Sequence, residues 1–283
     1  MALLVTEVLI QSRKNNWNEE RTMSKIAHAF ILDMTDLTYG WAAPYRAPGN
    51  GCLKGVKTLA HTVRQRTLPN RWWDCHALET GGCGSVMRAF PFGLIFADDP
   101  EKAKNWAVNH SKITHGHPIA LAACAAMAVG IAHALQGKLD YKEIITAMIE
   151  AAAEYDATTA QKILTASHYA QRARQLIGSR SIEEALKQKE MRAFHTFVFD
   201  TFPGWAAHDA IAAAVYVFTL YPEDCSSGLY VGVHTSGDSD SIASLAGALI
   251  GAYSGSLPHR TLIDSIEDSK KIGSTTAHIN KFF

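Results

Sequence analysis

The sequence lacks a net charge, because 27 lysines and arginines balance 27 aspartates and glutamates over 283 residues. An overall attraction to nucleic acid or to an anionic membrane is therefore not expected. The five cysteines are an odd number and form no Cys-x-x-Cys pair. This usage argues against a disulfide framework and is typical of free thiols in a reducing compartment. We therefore expect a cytoplasmic protein.

A secretory signal is not evident at the start of the sequence. The apolar segment Met1–Ile10 has no basic region before it and no clear cleavage site. The longest apolar run, Ile119–Leu135, is slightly short for a membrane span, is dominated by alanine and contains His133. Alanine lets neighbouring helices approach closely. We therefore predict that this run is a buried central helix and that the protein does not associate with membranes.

Convincing alternating strand patterns, Ser/Gly linkers and repeats are also lacking. Helical periodicity runs through most of the chain, and 47% of the residues are hydrophobic, enough for a core. We therefore predict an all-α fold, a compact multi-helix bundle, forming one domain over residues 1–283. The predicted helices are Met1–Ser12, Glu20–Met34, Gly51–Arg64, Ser85–Phe96 with a kink at Pro91, Pro100–Ile113, one from Pro118, Tyr141–Tyr155, Thr158–Leu176, Ser181–Lys189, His208–Leu220, Pro222–Val233 and Asp240–Tyr253. The predicted loops are Trp41–Asn50, Leu68–Cys83 and Phe199–Trp205.

The most distinctive local pattern is His234–Ser241 (HTSGDSDS), directly before a helix with many small residues. Asp238, Asp240 and Ser241 offer oxygen ligands of the kind that Mg²⁺, Mn²⁺ or Ca²⁺ prefers. Gly237 would allow a turn closed to other residues. Serine and aspartate also cap helices in proteins that bind no metal. The pattern alone therefore leaves a metal site and an ordinary helix cap open.

Three further loops could contact a ligand. The glycine-rich Gly81–Arg88 (GGCGSVMR) could hold a diphosphate through backbone N–H groups, although a tight turn or a close helix crossing explains glycines equally well. In Thr114–Pro118 (THGHP), His115 could contact a base or a ribose, whereas His117 could simply cap a helix. The loop Arg46–Cys52 (RAPGNGC) could approach a ligand with its backbone or be a plain turn.

Taken together, these loops resemble the ADP-ribosylglycohydrolase family, and most closely its ADP-ribosylarginine hydrolases. The similarity extends from Met1 to about Pro258 in four ordered blocks. These blocks are RAPGNGCLKG from Arg46, GGCGSVMRA from Gly81, THGHP from Thr114 and GDSDS from Gly237. Trp205 and the His-Asp-Ala triplet from His208 also resemble a substrate-side element of the family. The resemblance implies the compact all-α bundle of that family, with a ligand cleft.

The resemblance also implies a role for particular residues. Asp238 and Asp240 would be catalytic, and together with Ser241 they would ligate Mg²⁺ or Mn²⁺. The implied substrate-binding residues are Gly49, Asn50, Gly51, Cys83, Gly84, Ser85, His115, His208 and Asp209. The reaction would be hydrolysis of the N-glycosidic bond between ADP-ribose and a protein side chain, most simply arginine. The implied partner is ADP-ribose or a mono-ADP-ribosylated protein, bound by a monomer.

The sequence departs from the family pattern in one respect that bears on activity. The family carries a Thr-Asp-Asp-Thr metal motif near its N-terminus, and Met1–Leu3 resembles the residues just after it, so the domain reads as N-terminally truncated. Half of the metal ligands would then be lacking, and the chain would hold one ion or none. Three hypotheses follow: an active hydrolase, a degenerate member that binds ADP-ribose or ADP-ribosylated protein without hydrolysis, and a structural protein.

Overall fold

A computed structural model describes residues 1–35, 48–255, 257–258 and 260–280 of the chain. The predicted Trp41–Asn50 loop and the start of the Arg46–Cys52 motif lie largely outside these residues. Within them the regular structure is helical, and no strand is present apart from an isolated bridge between Gly82 and Ala206. The predicted all-α fold is therefore confirmed.

The described residues of the N-terminal half form seven α-helices. They are α1 (Ala2–Lys14), α2 (Glu19–Thr35), α3 (Asn50–Thr62), α4 (Phe90–Ile95), α5 (Pro100–Ser111), α6 (Pro118–Gln136) and α7 (Tyr141–Ala153), with a 3₁₀ turn at Val86–Arg88 before α4. The apolar run from Ser85 was expected to be one helix kinked at Pro91. Instead, the helical run is interrupted at Ala89, between the 3₁₀ turn and α4. Pro91 therefore lies in the first turn of α4, where the backbone N–H that proline lacks would have no helical partner.

Eight further α-helices are formed by the part of the C-terminal half that the structure describes. They are α8 (Ala157–Ile177), α9 (Ile182–Ala185), α10 (Lys189–Thr201), α11 (Ala207–Leu220), α12 (Cys225–Val233), α13 (Ser239–Ser254), α14 (Arg260–Ser265) and α15 (Ser269–Ile279). The predicted loop Phe199–Trp205 is wrong in its first part, because α10 continues to Thr201. The predicted helix Ser181–Lys189 is also too long, since α9 ends at Ala185. Helices α10, α14 and α15 were not predicted.

Helix α6 lies at the centre of the bundle and packs against α4, α5, α7, α11 and α13. It is long and apolar enough to cross a membrane, but 72% of its most apolar window is buried inside the protein. Its alanines, including Ala123 and Ala126, are fully buried. Small side chains let helix axes approach to roughly 8 Å, which explains how five helices fit around one. The prediction of a buried central helix is confirmed.

Five helical segments begin next to one another at one end of this bundle. They are α3, the 3₁₀ turn, α6, α11 and α13. The first turn of α3 and the described loops before the other four contribute to the site described below. Unpaired N–H groups at helix starts give such a region a positive potential that favours anions. The fold therefore gathers the loops singled out in the sequence at one place.

The packing around α6 predicts that added volume will not be tolerated there. Ala126→Leu is expected to lower the free energy of unfolding by about 1–3 kcal/mol, because the larger side chain must displace neighbouring helices. Ala193→Leu provides the control, since Ala193 is exposed on α10 and the change there should stay within about 0.5 kcal/mol. Urea denaturation of both variants measures the difference. Equal effects would contradict the central position of α6.

Candidate functional site

Asp238 lies at the N-terminal cap of α13 without capping it. Its side chain accepts no hydrogen bond from the helix backbone. Instead, the thiol of Cys83 donates to Asp238 Oδ2 over 3.2 Å, and Cys83 Sγ lies 3.4 Å from Ser241 Oγ. A carboxylate at a helix start normally bonds the free amides of the first turn. The structure therefore argues against the ordinary cap that the sequence left open.

The two aspartates of this loop interact unfavourably with each other. Asp238 is 6% exposed, and burial, followed by the neighbouring Asp240 carboxyl, raises the pKa of Asp238. Burial also raises the pKa of the Cys83 thiol to about 12, with Asp238 adding to the effect. Both shifts have the same main cause, because burial disfavours the negatively charged form of each group.

The oxygen atoms of this loop fit part of the coordination shell of a hard divalent cation. Asp238 and Asp240 offer carboxylate oxygens, and the Ser241 hydroxyl, now 3.1 Å from Met87 Sδ, offers a third oxygen. Magnesium usually takes one or two protein carboxylates and completes its octahedron with water and substrate. In the described part of the chain, no cluster of three or more histidine, cysteine or acidic side chains is arranged to hold a metal.

Backbone hydrogen bonds join the three loops that carry these residues. Cys83 N donates to Trp205 O over 3.1 Å, and Ala207 N donates to Gly81 O over 3.0 Å. Asp238 N donates to Pro203 O over 2.8 Å. Segments 81–83, 203–207 and 237–238 thus form one connected wall of the site.

Gly237 is needed for this junction, although for a different reason than the sequence suggested. It does not adopt a positive φ. A Cβ at Gly237 would lie only 2.1 Å from Pro203 O, so any side chain would push the two backbones apart. Glycine is therefore required at this position for the close approach of two backbones and not for an unusual backbone conformation.

Glycines from two loops surround the ring of His115. A Cβ at Gly51 would lie 2.8 Å from His115 Nε2, and one at Gly84 would lie 3.3 Å from it. A Cβ added at Gly82 would lie 3.7 Å from the same nitrogen. His115 is 2% exposed, and because these glycines lack side chains, their backbones are what lies against the Nε2 edge of the ring. The backbone N–H groups of Gly84 and Ser85 have no hydrogen-bond partner among the described residues.

A buried arginine lies behind His115. Arg88 is 1% exposed, and its guanidinium donates to Gly84 O over 2.8 Å, to His110 Nε2 over 2.9 Å, to Cys52 Sγ and to Thr114 Oγ1. Thr114 Oγ1 in turn lies 2.7 Å from His115 Nδ1. Burial, with Arg88 acting in the same direction, lowers the pKa of His115 to about 3. The His115 ring is therefore neutral at physiological pH.

A second polar cluster begins α11, beyond the exposed Trp205. Lys162 Nζ of α8 lies 2.6 Å from Asp209 Oδ1, and His208 Nδ1 lies 3.5 Å from the same oxygen. Burial lowers the pKa of His208, Asp209 opposes this shift, and Lys162 adds to it. The backbone bond from Ala207 N to Gly81 O places this cluster beside the glycine loop.

The structure brings most of the predicted site residues together, with two differences. Gly49 and Asn50 are exposed at the start of α3, whereas Gly51 faces His115. The Ser85 hydroxyl is fully buried and lies 2.9 Å from Ser111 Oγ, so only its backbone can line the cleft. His117 caps α6 through its ring, accepting from Ile119 N over 3.3 Å, as the sequence suggested.

Three residues of the site were not assigned a role from the sequence: Arg88, Thr114 and Lys162. Arg88 and Thr114 lie inside the quoted motifs, so the motifs contained a signal that sequence reasoning did not use. Lys162 lies on the polar helix α8, 47 residues before its partner Asp209. No local pattern indicates that contact.

Comparison with known proteins agrees with this arrangement. A solved structure described as an ADP-ribosylglycohydrolase-related protein complex superimposes with a TM-score of 0.61 at 18% identity, over 99% of this chain and 79% of that one. This likeness shows the fold. A model of the ADP-ribosylglycohydrolase family matches residues 1–279. The chain therefore belongs to the ADP-ribosylglycohydrolase family.

Two curated proteins show how much of a full-length relative the chain spans. The ADP-ribosyl-[dinitrogen reductase] glycohydrolase of Rhodospirillum rubrum is 29% identical over 90 residues, which cover 32% of this chain and 28% of that protein. A protein of Archaeoglobus fulgidus described as uncharacterized is 25% identical over 190 residues, or 67% of this chain and 55% of its own length. The chain thus spans little more than half of one relative and under a third of the other.

The buried neutral state of His115 predicts a pH dependence of stability. In the unfolded chain a histidine has a pKa near 6.5, whereas folded His115 titrates at about 3. Between these values the unfolded state binds more protons, so stability falls as the pH is lowered, by about 1.4 kcal/mol per pH unit from this residue. His115→Gln should remove that part of the slope between pH 6 and pH 5, as measured by urea denaturation.

A matched control separates this effect from acid destabilisation in general. His168 is exposed on α8, so His168→Gln should retain the wild-type slope. If His115→Gln also retained the full slope, the buried neutral ring would be the wrong description of His115.

Proposed function

We propose that the protein hydrolyses the bond between ADP-ribose and a protein side chain, with arginine as the acceptor. The observation that carries this proposal is the pair Asp238 and Asp240. Asp238 is buried, does not cap its helix and accepts a hydrogen bond from Cys83 of the glycine loop, and the exposed Asp240 lies beside it. Membership of the ADP-ribosylglycohydrolase family supports the general activity. Arginine as the acceptor rests on the sequence blocks that resemble the arginine-type hydrolases.

The other side of the site suits the anionic part of such a substrate. The unpaired amides of Gly84 and Ser85 and the Nε2 edge of His115 lie close together, and backbone amides at a helical start bind phosphate oxygens. Asp238, Asp240 and Ser241 would hold Mg²⁺ or Mn²⁺. When bound, the cation would offset the carboxylate charge and provide Lewis-acid stabilisation and orientation for the ribose hydroxyls.

In the proposed reaction, a water oxygen bonds to the anomeric carbon while the carbon–nitrogen bond breaks. One proton of that water is transferred to the nitrogen of the leaving guanidine, and the other stays on the new anomeric hydroxyl. Asp238 and Asp240 are the carboxylates on this side of the cleft. Trp205, His208 and Asp209 lie farther along the wall, where they would contact the acceptor protein. The Lys162–Asp209 pair at 2.6 Å would keep the Asp209 carboxylate in place.

The proposal predicts free ADP-ribose release from an arginine-ADP-ribosylated peptide in the presence of Mg²⁺, abolished by EDTA. Asp238→Asn should lower this release by at least about 100-fold. Mutation of residues that only hydrogen-bond to metal ligands already lowers metal affinity or activity by about 10–100-fold. Asp224→Asn is the control, because Asp224 is also the cap residue of a helix but bonds the amides of Ser226 and Ser227. Its activity should match that of the wild type.

The outcomes of this assay separate the competing functions. Release that EDTA does not affect would contradict the role given to Asp238 and Asp240. No release from folded protein that still binds ADP-ribose would instead identify a binding protein without hydrolytic activity. Absence of both release and ADP-ribose binding would leave a structural role.

Cation binding itself can be tested without any turnover. Mg²⁺ or Mn²⁺ should raise the melting temperature of the wild type by on the order of 5 °C at about 100 times its dissociation constant. Asp238→Asn should abolish this rise. Without cation the variant should be at least as stable as the wild type. The neutral amide avoids the cost of a buried negative charge and the repulsion from Asp240, the two effects that raise the pKa of Asp238. An equal rise in both proteins would place the cation elsewhere.

A further inference from the structure

Arg88 is a buried cation that pairs with no carboxylate in the described part of the chain. Its side chain is 1% exposed, and the centre of the guanidinium lies 4.9 Å from the centroid of the Phe30 ring. A guanidinium has five N–H donors and no acceptor. Every hydrogen bond that Arg88 makes therefore fixes its partner as an acceptor, and one of these partners is the hydroxyl oxygen of Thr114.

The hydroxyl proton of Thr114 must then point elsewhere. Thr114 Oγ1 has one other polar neighbour among the described residues, His115 Nδ1 at 2.7 Å. A hydroxyl oxygen can accept two hydrogen bonds, but if Nδ1 also donated to Thr114 Oγ1, the hydroxyl proton would have no acceptor among the described residues. The hydroxyl therefore donates to Nδ1. A neutral imidazole has one protonated and one unprotonated nitrogen. The proton of the His115 ring therefore lies on Nε2.

The Nε2 atom faces the glycines of the cleft. Gly51, Gly82 and Gly84 surround it, and no described residue forms a hydrogen bond with it. Burial and Arg88 keep the ring neutral by lowering the pKa of His115 to about 3. The nitrogen that faces the cleft is therefore a donor.

We propose that Arg88, acting through Thr114, is a positioning residue that fixes His115 as the Nε2–H tautomer, so that the ring donates a hydrogen bond to the ligand in the cleft. The ligand side of this statement rests on the proposed function, since ADP-ribose presents acceptor oxygens on its phosphates and riboses. The assignment has a mechanistic consequence. A nitrogen that already carries a proton cannot take one from water, so His115 is not the general base of the hydrolysis.

The ring protonation can be measured directly by two-bond ¹H–¹⁵N correlation NMR on the full chain labelled with ¹⁵N-histidine. The signals of His115 are assigned by their loss in His115→Gln. The wild type should show a protonated Nε2 and an unprotonated Nδ1 at neutral pH. A protonated Nδ1 would overturn the proposal.

Two variants of Thr114 test the connection through its hydroxyl. Thr114→Ser keeps the hydroxyl and should retain the wild-type pattern. Thr114→Val has nearly the same shape without the hydroxyl, and its His115 signals should shift towards a mixture of both tautomers. An unchanged pure Nε2–H pattern in Thr114→Val would show that the Arg88–Thr114 pair does not fix the tautomer, and would overturn the proposal.

Addition of ADP-ribose separates this inference from the proposed function. In the wild type, the Nε2–H proton resonance should shift on titration with ADP-ribose, and inorganic pyrophosphate serves as a second probe of the phosphate contribution. The ligand-free spectra decide the tautomer. If the wild type shows the expected tautomer but its Nε2–H resonance responds to neither probe, the proposed ligand is contradicted and the tautomer assignment stands.

Discussion

Arg88 carries its charge into the core, where an ion without compensating partners is costly. Its acceptors come from five separate parts of the chain: Met1 before α1, Cys52 on α3, Gly84 of the glycine loop, His110 on α5 and Thr114 before α6. Because the guanidinium is planar and its donors are fixed in direction, these parts can satisfy it in one relative arrangement only. The positions of the glycine loop and of His115 both depend on that arrangement.

The opposite wall of the cleft has a different physical character. There the carboxyl groups of Asp238 and Asp240 lie together, and the Cys83 thiol donates a hydrogen bond to Asp238. The buried guanidinium of Arg88 behind His115 and the neighbouring carboxyl groups of Asp238 and Asp240 beside Cys83 give the site two electrostatic halves. This division agrees with a ligand that has an anionic diphosphate at one end and a cation-assisted reaction at the other.

The sequence predicted the helices whose apolar residues recur regularly, including the central α6. It did not predict α10, although Met191, His195, Val198 and Phe199 are buried along one face of that helix. The loop predicted around Pro203 and Gly204 began at Phe199 and so covered the last turn of α10. Helix α15 buries only Thr275 and Ile279, so it offers almost no periodic pattern. Short, weakly packed helices of this kind are held by tertiary contacts such as Lys271 with Glu7.

The candidate site was predictable where its chemistry lies within one loop, as for Asp238, Asp240 and Ser241. The contact between Cys83 and Asp238 joins residues 155 positions apart, and no local pattern could show that it replaces a helix cap. Arg88 lies in an otherwise apolar run, where sequence gives no partner for a buried charge. Both contacts depend on packing of the whole bundle.

The backbone bonds between segments 81–83, 203–207 and 237–238 also bear on how such a site can diverge during evolution. Main-chain hydrogen bonds are indifferent to side-chain identity, so Trp205, which is 65% exposed, can be exchanged without loosening Cys83 or Asp238. The exposed surface around Trp205, where we propose that the acceptor binds, can therefore vary while the backbone geometry around Cys83 and Asp238 is inherited unchanged. Gly237 is the exception, since its Cβ-free backbone maintains the junction with Pro203, and selection acting on it would preserve the frame on which new specificities arise.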